Sequence, residues 1–442
     1  MSERKSGLSG SRAIWERTAE PSGEVMVRQS PRSGQPRSGQ VSNMRLIRAL
    51  TFLMFMMFAM TTDAVGVIIP QIIKTFSLGM AEAGSFHYAT MGGIALAGVG
   101  LGFLADRLGR KVTILIGLSA FAVSALLFSV SRTFPVFLGL LFVSGLAIGV
   151  FKTGALALIG DICSSTKDHT ATLNTLEGFF GLGAIVGPAV VARLLLVGAS
   201  WTWLYVIAGG LCAVLIVVAV SVRYPEAHAP ADEVQRIDLR RTLGLIRSPY
   251  VSAFSIGAML YVGVETAIYV WMPTLLAGYS GPAVSLVPYA LSTFFILRAG
   301  GRFLGSWMLT RMDWAAVLAL CGFAILICFA GALVGGRGAA LCLLPASGLF
   351  MSVVYPTLNS KGISCFPKSQ HGGVAGVILF FTCISAVLAP LSMGVISDQL
   401  GSPTWAFVLA TGLAALLFAG LAWNWLRAPT RDRLERLNAT EY

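Results

Sequence analysis

The chain has 442 residues, of which 56% are hydrophobic and only 12% charged, about half the charged share of ~25% usual in soluble domains. Its apolar residues fall into runs of roughly twenty or more, the length that crosses a bilayer core, so an all-α integral membrane protein is predicted. The net charge of +12 would suit a nucleic-acid partner, but its placement along the chain is topological and no nucleic acid is expected.

In chain order, residues 1–43 are rich in Ser, Gly, Arg and Pro, a composition that cannot bury a core. They hold no apolar segment followed by a small-residue cleavage site and read as a disordered cytoplasmic tail, with Met44 an alternative start. Six apolar runs follow, at 46–73, 83–104, 112–131, 134–160, 171–197 and 202–222. A polar linker with Pro225 and Pro230 separates them from six more, at 249–278, 283–309, 315–334, 338–360, 373–397 and 403–426. The expected organisation is a six-helix bundle over 44–223, a cytoplasmic linker over 224–247, a second bundle over 248–427 and a tail over 428–442. With both ends inside, 26 of the 32 Lys and Arg are cytoplasmic. Four lie outside (Lys74, Arg132, Arg193, Arg337) and two within spans (Lys152, Arg298). That asymmetry is the positive-inside pattern, and a multi-pass protein of the cell inner membrane is expected.

The seven cysteines lie in or beside spans without paired spacing and read as small apolar fillers. No histidine has a ligand-like neighbour pattern, so neither a metal nor another cofactor is expected, and the oligomeric state is read as monomeric.

The chain also repeats itself. Pro70 meets Pro273, Gly102 meets Gly305, and Ser144-Gly145-Leu146 meets Ser347-Gly348-Leu349 at an offset of 203 residues. One residue less aligns Pro188 with Pro390 and Thr202-Trp203 with Thr404-Trp405. Two parallel six-helix repeats suit a solute site at their interface near the midplane, opened to either side by rocking.

Between the second and third runs stands "GFLADRLGRK", Gly102 to Lys111. Gly102 permits close helix approach and Gly109 a tight turn. Asp106 suits a helix N-terminus or a basic partner, and Arg107, Arg110 and Lys111 suit opposing acids or lipid phosphates. The stretch resembles the signature loop of the major facilitator superfamily at every defined position. That resemblance implies twelve helices in two pseudo-repeats and a cytoplasmic latch for the outward-open state. The second copy, Gly305 to Arg311, is degenerate.

Five stretches resemble the fucose:proton symporter, or sugar permease, branch of that superfamily: "IIPQI" from Ile68, "LNTLEGFFGLGAIVGP" from Leu173, "YVGVETAIYVWMPTLL" from Tyr261, "GRFLGSWMLTR" from Gly301 and "MSVVYPTLNSKGI" from Met351. On that resemblance Gln71, Asn174, Trp271, Tyr355 and Asn359 occupy cavity helices suited to a sugar ring. Two departures stand out. The branch has an Asn-Asp pair where this chain has Val65 and Gly66, and a glutamate where it has Lys152. Proton coupling therefore does not carry over residue for residue.

This chain instead carries its own ionisable residues inside spans. At ~1.5 Å per helical residue, Lys152 and Glu177 lie level on adjacent antiparallel helices, and a Lys152–Glu177 pair is expected, each offsetting the other's desolvation. Asp63 and Glu265 lie deeper, at equivalent repeat positions, and are candidate proton carriers. Arg298 cannot titrate and is left with solute anchoring or a permanent ion pair.

The expectation is a secondary transporter of a small polar solute, a sugar or a sugar derivative with acidic ones included, in symport with protons. Export of drugs or metabolites is an alternative, since "GLGAIVGP" (Gly181 to Pro188) partly resembles an antiporter motif. A non-transporting sensor is another. No nucleophile–base set or phosphate loop points to an enzyme.

Overall fold

Backbone in hydrocarbon has no water to bond to, so each apolar run must close its hydrogen bonds within its own helix. The computed structural model describes residues 38–101, 104–163, 166–224, 244–367, 370–431 and 433–434. The segments 1–37, 225–243 and 435–442, together with Gly102, lie outside the described residues. Among the described residues, eleven helices are long and apolar enough to cross a membrane. They are Asn43–Phe76, Arg110–Leu127, Phe134–Ile162, Thr175–Leu196, Trp203–Ser221, Pro249–Leu276, Val284–Arg311, Trp314–Val334, Gly336–Ser364, Gly373–Gln399 and Thr404–Arg427. The second predicted crossing is Ser85–Gly100, a 16-residue helix followed after Leu101 by Leu104–Arg107. With it there are twelve crossings, here spans 1 to 12 in chain order.

The same packing occurs twice. Span 1 packs on spans 5 and 6, span 2 on 4, and span 3 on 4 and 6. Adding six to each number gives the second set: 7 on 11 and 12, 8 on 10, and 9 on 10 and 12. The halves meet where span 5 touches 8, span 2 touches 11, and the later parts of spans 1 and 7 touch each other. The chain enters span 1 and leaves span 12 at one end of the bundle, called here the terminus face. Large apolar side chains cover the outside, with Phe303 82% and Val334 91% exposed. Exposed Trp203 and Trp405 sit near the opposite face and Trp307, Trp423 and Trp425 near the terminus face, as aromatic belts do at the two membrane interfaces.

Three central spans are broken, and a proline follows each break, within four residues of it in spans 7 and 10. Proline has no N–H and its ring crowds the carbonyl four residues earlier. Span 1 turns at Asp63–Ala64 before the helix Val65–Phe76, which contains Pro70. Span 7 widens to a π-helix over Ala267–Trp271 just before Pro273. Span 10 turns at Ser352–Val353, and Pro356 follows. Pro70 frees the Gly66 carbonyl and Pro273 that of Tyr269, two residues 203 positions apart. These equivalent residues touch: a Cβ on Gly66 would overlap the Tyr269 carbonyl oxygen, so only glycine fits there.

On span 5, a Cβ on Gly183 or Gly187 would overlap the backbone carbonyls of Met56 or Met60 on span 1. Two of the three "GLGAIVGP" glycines, Gly183 and Gly187, thus serve helix packing inside one repeat.

Candidate functional site: a cavity between the repeats

A cavity of about 890 Å³ opens on the face that the second repeat turns to span 5 of the first. Glu265 on span 7, Arg298 and Arg302 on span 8, Tyr355 and Asn359 on span 10, Thr382 and Cys383 on span 11, and Glu177 on span 5 line it. Its wall runs on to Ser306, Thr310 and Ser360, toward the terminus-face ends of spans 8 and 10.

Towards the opposite face the bundle is shut by contacts between the repeats. The Asp398 carboxylate at the end of span 11 accepts from the backbone N–H groups of Met80 (2.6 Å) and Ala81 (2.8 Å). Ser292 on span 8 donates to the Ile185 carbonyl on span 5 at 3.0 Å. The ring of His87 on span 2 lies 3.1 Å from the Ala386 carbonyl on span 11. Within the second repeat, Trp271 donates to the Pro390 carbonyl at 3.1 Å, and a Cβ on Gly84 of the first repeat would meet the same ring. The cavity is therefore open at one face and closed at the other.

At its floor, Arg298 and Glu265 form an ion pair at 2.6 Å. The Tyr261 hydroxyl lies 3.0 Å from both Glu265 Oε1 and the Met351 carbonyl, and its single proton can serve one acceptor at a time. Met351 immediately precedes the break in span 10, so span discontinuity and ion pair share one tyrosine. The Tyr261 ring stacks on Tyr355, centroids 6.2 Å apart.

The expected Lys152–Glu177 pair does not form: no ion pair or hydrogen bond joins them among the described residues. The Lys152 ammonium instead lies over the Phe180 ring, 5.3 Å from its centroid. It remains within Coulombic reach of Glu177, Asp63 and Cys383. Counting rise per residue gives depth along the bundle but not direction around a helix, which is why level residues need not touch. Asp63 sits at the span 1 break, where the Thr62 hydroxyl donates to it at 3.0 Å. Arg298, Lys152 and Glu265 are all within its Coulombic reach.

Two further expectations are corrected. Gln71 lines two clefts towards the opposite face, one of them formed with Thr75, Arg132 and Trp201, and not the central cavity. Trp271 is fully buried in the closure rather than offering a flat face to a ligand. The Asn174 side chain lies outside the described residues.

In the signature loop, Gly102 and the Asp106 side chain lie outside the described residues, and Arg107 is exposed. Gly109 adopts a positive φ of 82°, the conformation that glycine tolerates best. Arg110 pairs with Asp161 at 2.9 Å. Lys111 donates at 2.8 Å to the carbonyls of both Val220 and Val222, capping the end of span 6. These two basic residues tie spans within the first repeat. Arg311 in the second copy lies over Trp307, 5.9 Å from the ring centroid.

Sequence reasoning missed Tyr261, Arg302, Cys383 and Asp398. The signal for the first two was helical spacing: Tyr261 stands four residues before Glu265 and Arg302 four after Arg298, each on the same face.

A doubled helical bundle enclosing a polar, one-sided cavity defines a membrane transporter rather than an enzyme. The family model of the Major Facilitator Superfamily matches residues 51–390; the chain belongs to that superfamily. It is 23% identical over 429 residues to the L-fucose-proton symporter of Escherichia coli (strain K12), covering 88% of this chain and 95% of the relative. It is 23% identical over 365 residues to a glucose/galactose transporter of Brucella abortus biovar 1 (strain 9-941), covering 79% and 87%. The solved nucleoside transporter NupG superposes with a TM-score of 0.69 at 17% identity, covering 86% of this chain and 98% of that one.

Proposed function

We propose that the chain carries a sugar or sugar derivative across the cell inner membrane by alternating access, in symport with protons. The single observation behind this reading is the cavity at the repeat interface, walled by hydroxyl, amide and charged side chains and open at one face only. Two relatives named as a fucose-proton symporter and a glucose/galactose transporter favour a sugar-like solute. The charge distribution favours the terminus face as cytoplasmic, which makes this conformation inward-open.

Glu265 and Asp63 are the proposed proton carriers. A proton on Glu265 would neutralise the anion that holds Arg298, while the Tyr261 hydroxyl could turn to the Met351 carbonyl and accept from the new acid. Protonation would thereby free Arg298 for the solute. Lys152, Glu177, Tyr355 and Asn359 are the proposed solute contacts. Gly102, Asp106, Arg107, Gly109, Arg110 and Lys111 are the proposed gate elements.

The test is uptake into proteoliposomes of labelled hexoses and their acid derivatives, with and without an imposed pH gradient. Accumulation that collapses with a proton uncoupler is expected. Uptake indifferent to the uncoupler would discard symport, and no uptake or counterflow of any of them would discard the sugar reading.

A further inference from the structure

The cations in and beside the cavity are not equivalent. While Glu265 is ionised, Arg298 is held by it at 2.6 Å, but Lys152 has no such partner among the described residues. Its ammonium carries three donors, yet no oxygen of a described residue accepts from it, and its nearest aromatic neighbour is the Phe180 ring. Phe180 follows the cavity-lining Glu177 by three residues on span 5, which sets Lys152 beside the cavity wall. Arg302, exposed in the cavity wall one turn from Arg298 towards the mouth, also forms no ion pair among the described residues. Glu177 lines the cavity without a partner among the described residues, and Asp63, whose described partner is the neutral Thr62 hydroxyl, keeps its charge. The two carboxylates match the two cations in number, but among the described residues neither brings an oxygen within hydrogen-bond reach of the Lys152 ammonium.

A cation left unpaired at membrane depth is costly unless something bound there supplies the anion. A neutral sugar offers the ammonium only dipoles, whereas a carboxylate adds a full opposite charge to the hydrogen bond. We propose that the solute is a sugar acid: a monosaccharide-sized polyhydroxylated monocarboxylate whose carboxylate binds Lys152. Arg302 draws it in at the mouth. Its hydroxyls donate to Glu177 and exchange hydrogen bonds with Asn359, with Tyr355 beside the ring. The cavity, about 890 Å³, is at the roomy end of small-molecule sites, roughly 300–1,000 Å³. This inference rests on the carrier reading above and narrows it.

The experiment measures binding to the purified full-length protein by thermal shift and calorimetry, with counterflow in proteoliposomes as a second readout. The probes are D-glucuronate and D-galacturonate, each paired with its neutral parent hexose, so that each pair differs at one carbon. The wild type should bind each acid at least tenfold more tightly than its parent. Lys152→Met should remove that preference and Lys152→Arg should restore most of it. Equal or tighter binding of the neutral hexoses to the wild type would overturn the sugar-acid inference while leaving the carrier reading in place. So would undiminished acid preference in a folded Lys152→Met protein. Neither binding nor counterflow with any of the four probes would overturn both. The wild-type comparison alone decides the matter if the variant does not fold.

Discussion

Glu265 is held from two sides, by a guanidinium and by a phenol, and the two bonds do different work. The pair with Arg298 is semi-buried, so removing one partner leaves an uncompensated charge, which typically costs about 3–5 kcal/mol. Arg298→Met should therefore lower thermal stability by about that amount, and adding Glu265→Gln should recover a large part of the loss in a double-mutant comparison. Tyr261→Phe removes only a hydrogen bond to a charged group, about 1.5–3 kcal/mol, and should leave the ion pair standing. If Glu265 carries the proton, Glu265→Gln should abolish uphill accumulation while preserving counterflow, measured in the same vesicles. Which residues would meet at this scale was only partly legible. The sequence exposed every ionisable residue in a span, because each stands out against an apolar background. It did not expose their pairing: a helix presents its side chains all round, and the direction Lys152 takes depends on where Phe180 leaves room.

At the scale of the element, proline sets the functional geometry. Spans 1, 7 and 10 are each interrupted along their length, spans 7 and 10 where they line the cavity, and discontinuous helices are how transporters of this kind bring backbone polarity to the midplane. The apolar runs could not reveal those breaks, since a turn of two residues leaves hydropathy unchanged, although Pro70 and Pro273 marked where to look. The contact of Gly66 with the Tyr269 carbonyl ties two of these breaks together on the closed side. Gly66→Trp should not fit that closure. It should cut turnover at least about tenfold, equal to a penalty of about 1.4 kcal/mol or more, and shift the resting population toward the form open to the opposite face. Wild-type turnover in a folded Gly66→Trp protein would show that the contact does not gate the cycle.

For the whole molecule, the fold was legible almost in full, because lipid dictates span length and the repeat offset dictates arrangement. What the sequence could not give was the conformational state. Gln71 and Trp271 belong to the closed side here, and a residue's cavity role depends on which face is open. The closure is a sum of small contacts, so each should tune the equilibrium rather than set it. Asp398→Ala removes the carboxylate that caps Met80 and Ala81, a loss of about 1 kcal/mol by analogy with helix caps, and should move the open–closed ratio roughly fivefold.

Access to the cavity floor is the most direct measure of all this, and Cys383 reports it. In a variant whose other six cysteines are replaced, a membrane-impermeant thiol reagent should alkylate Cys383 in inside-out vesicles and leave it largely untouched in right-side-out ones. Adding Gly66→Trp should reverse that preference. Equal labelling from both sides, or from neither in both variants, would contradict a central chamber opened to one side at a time.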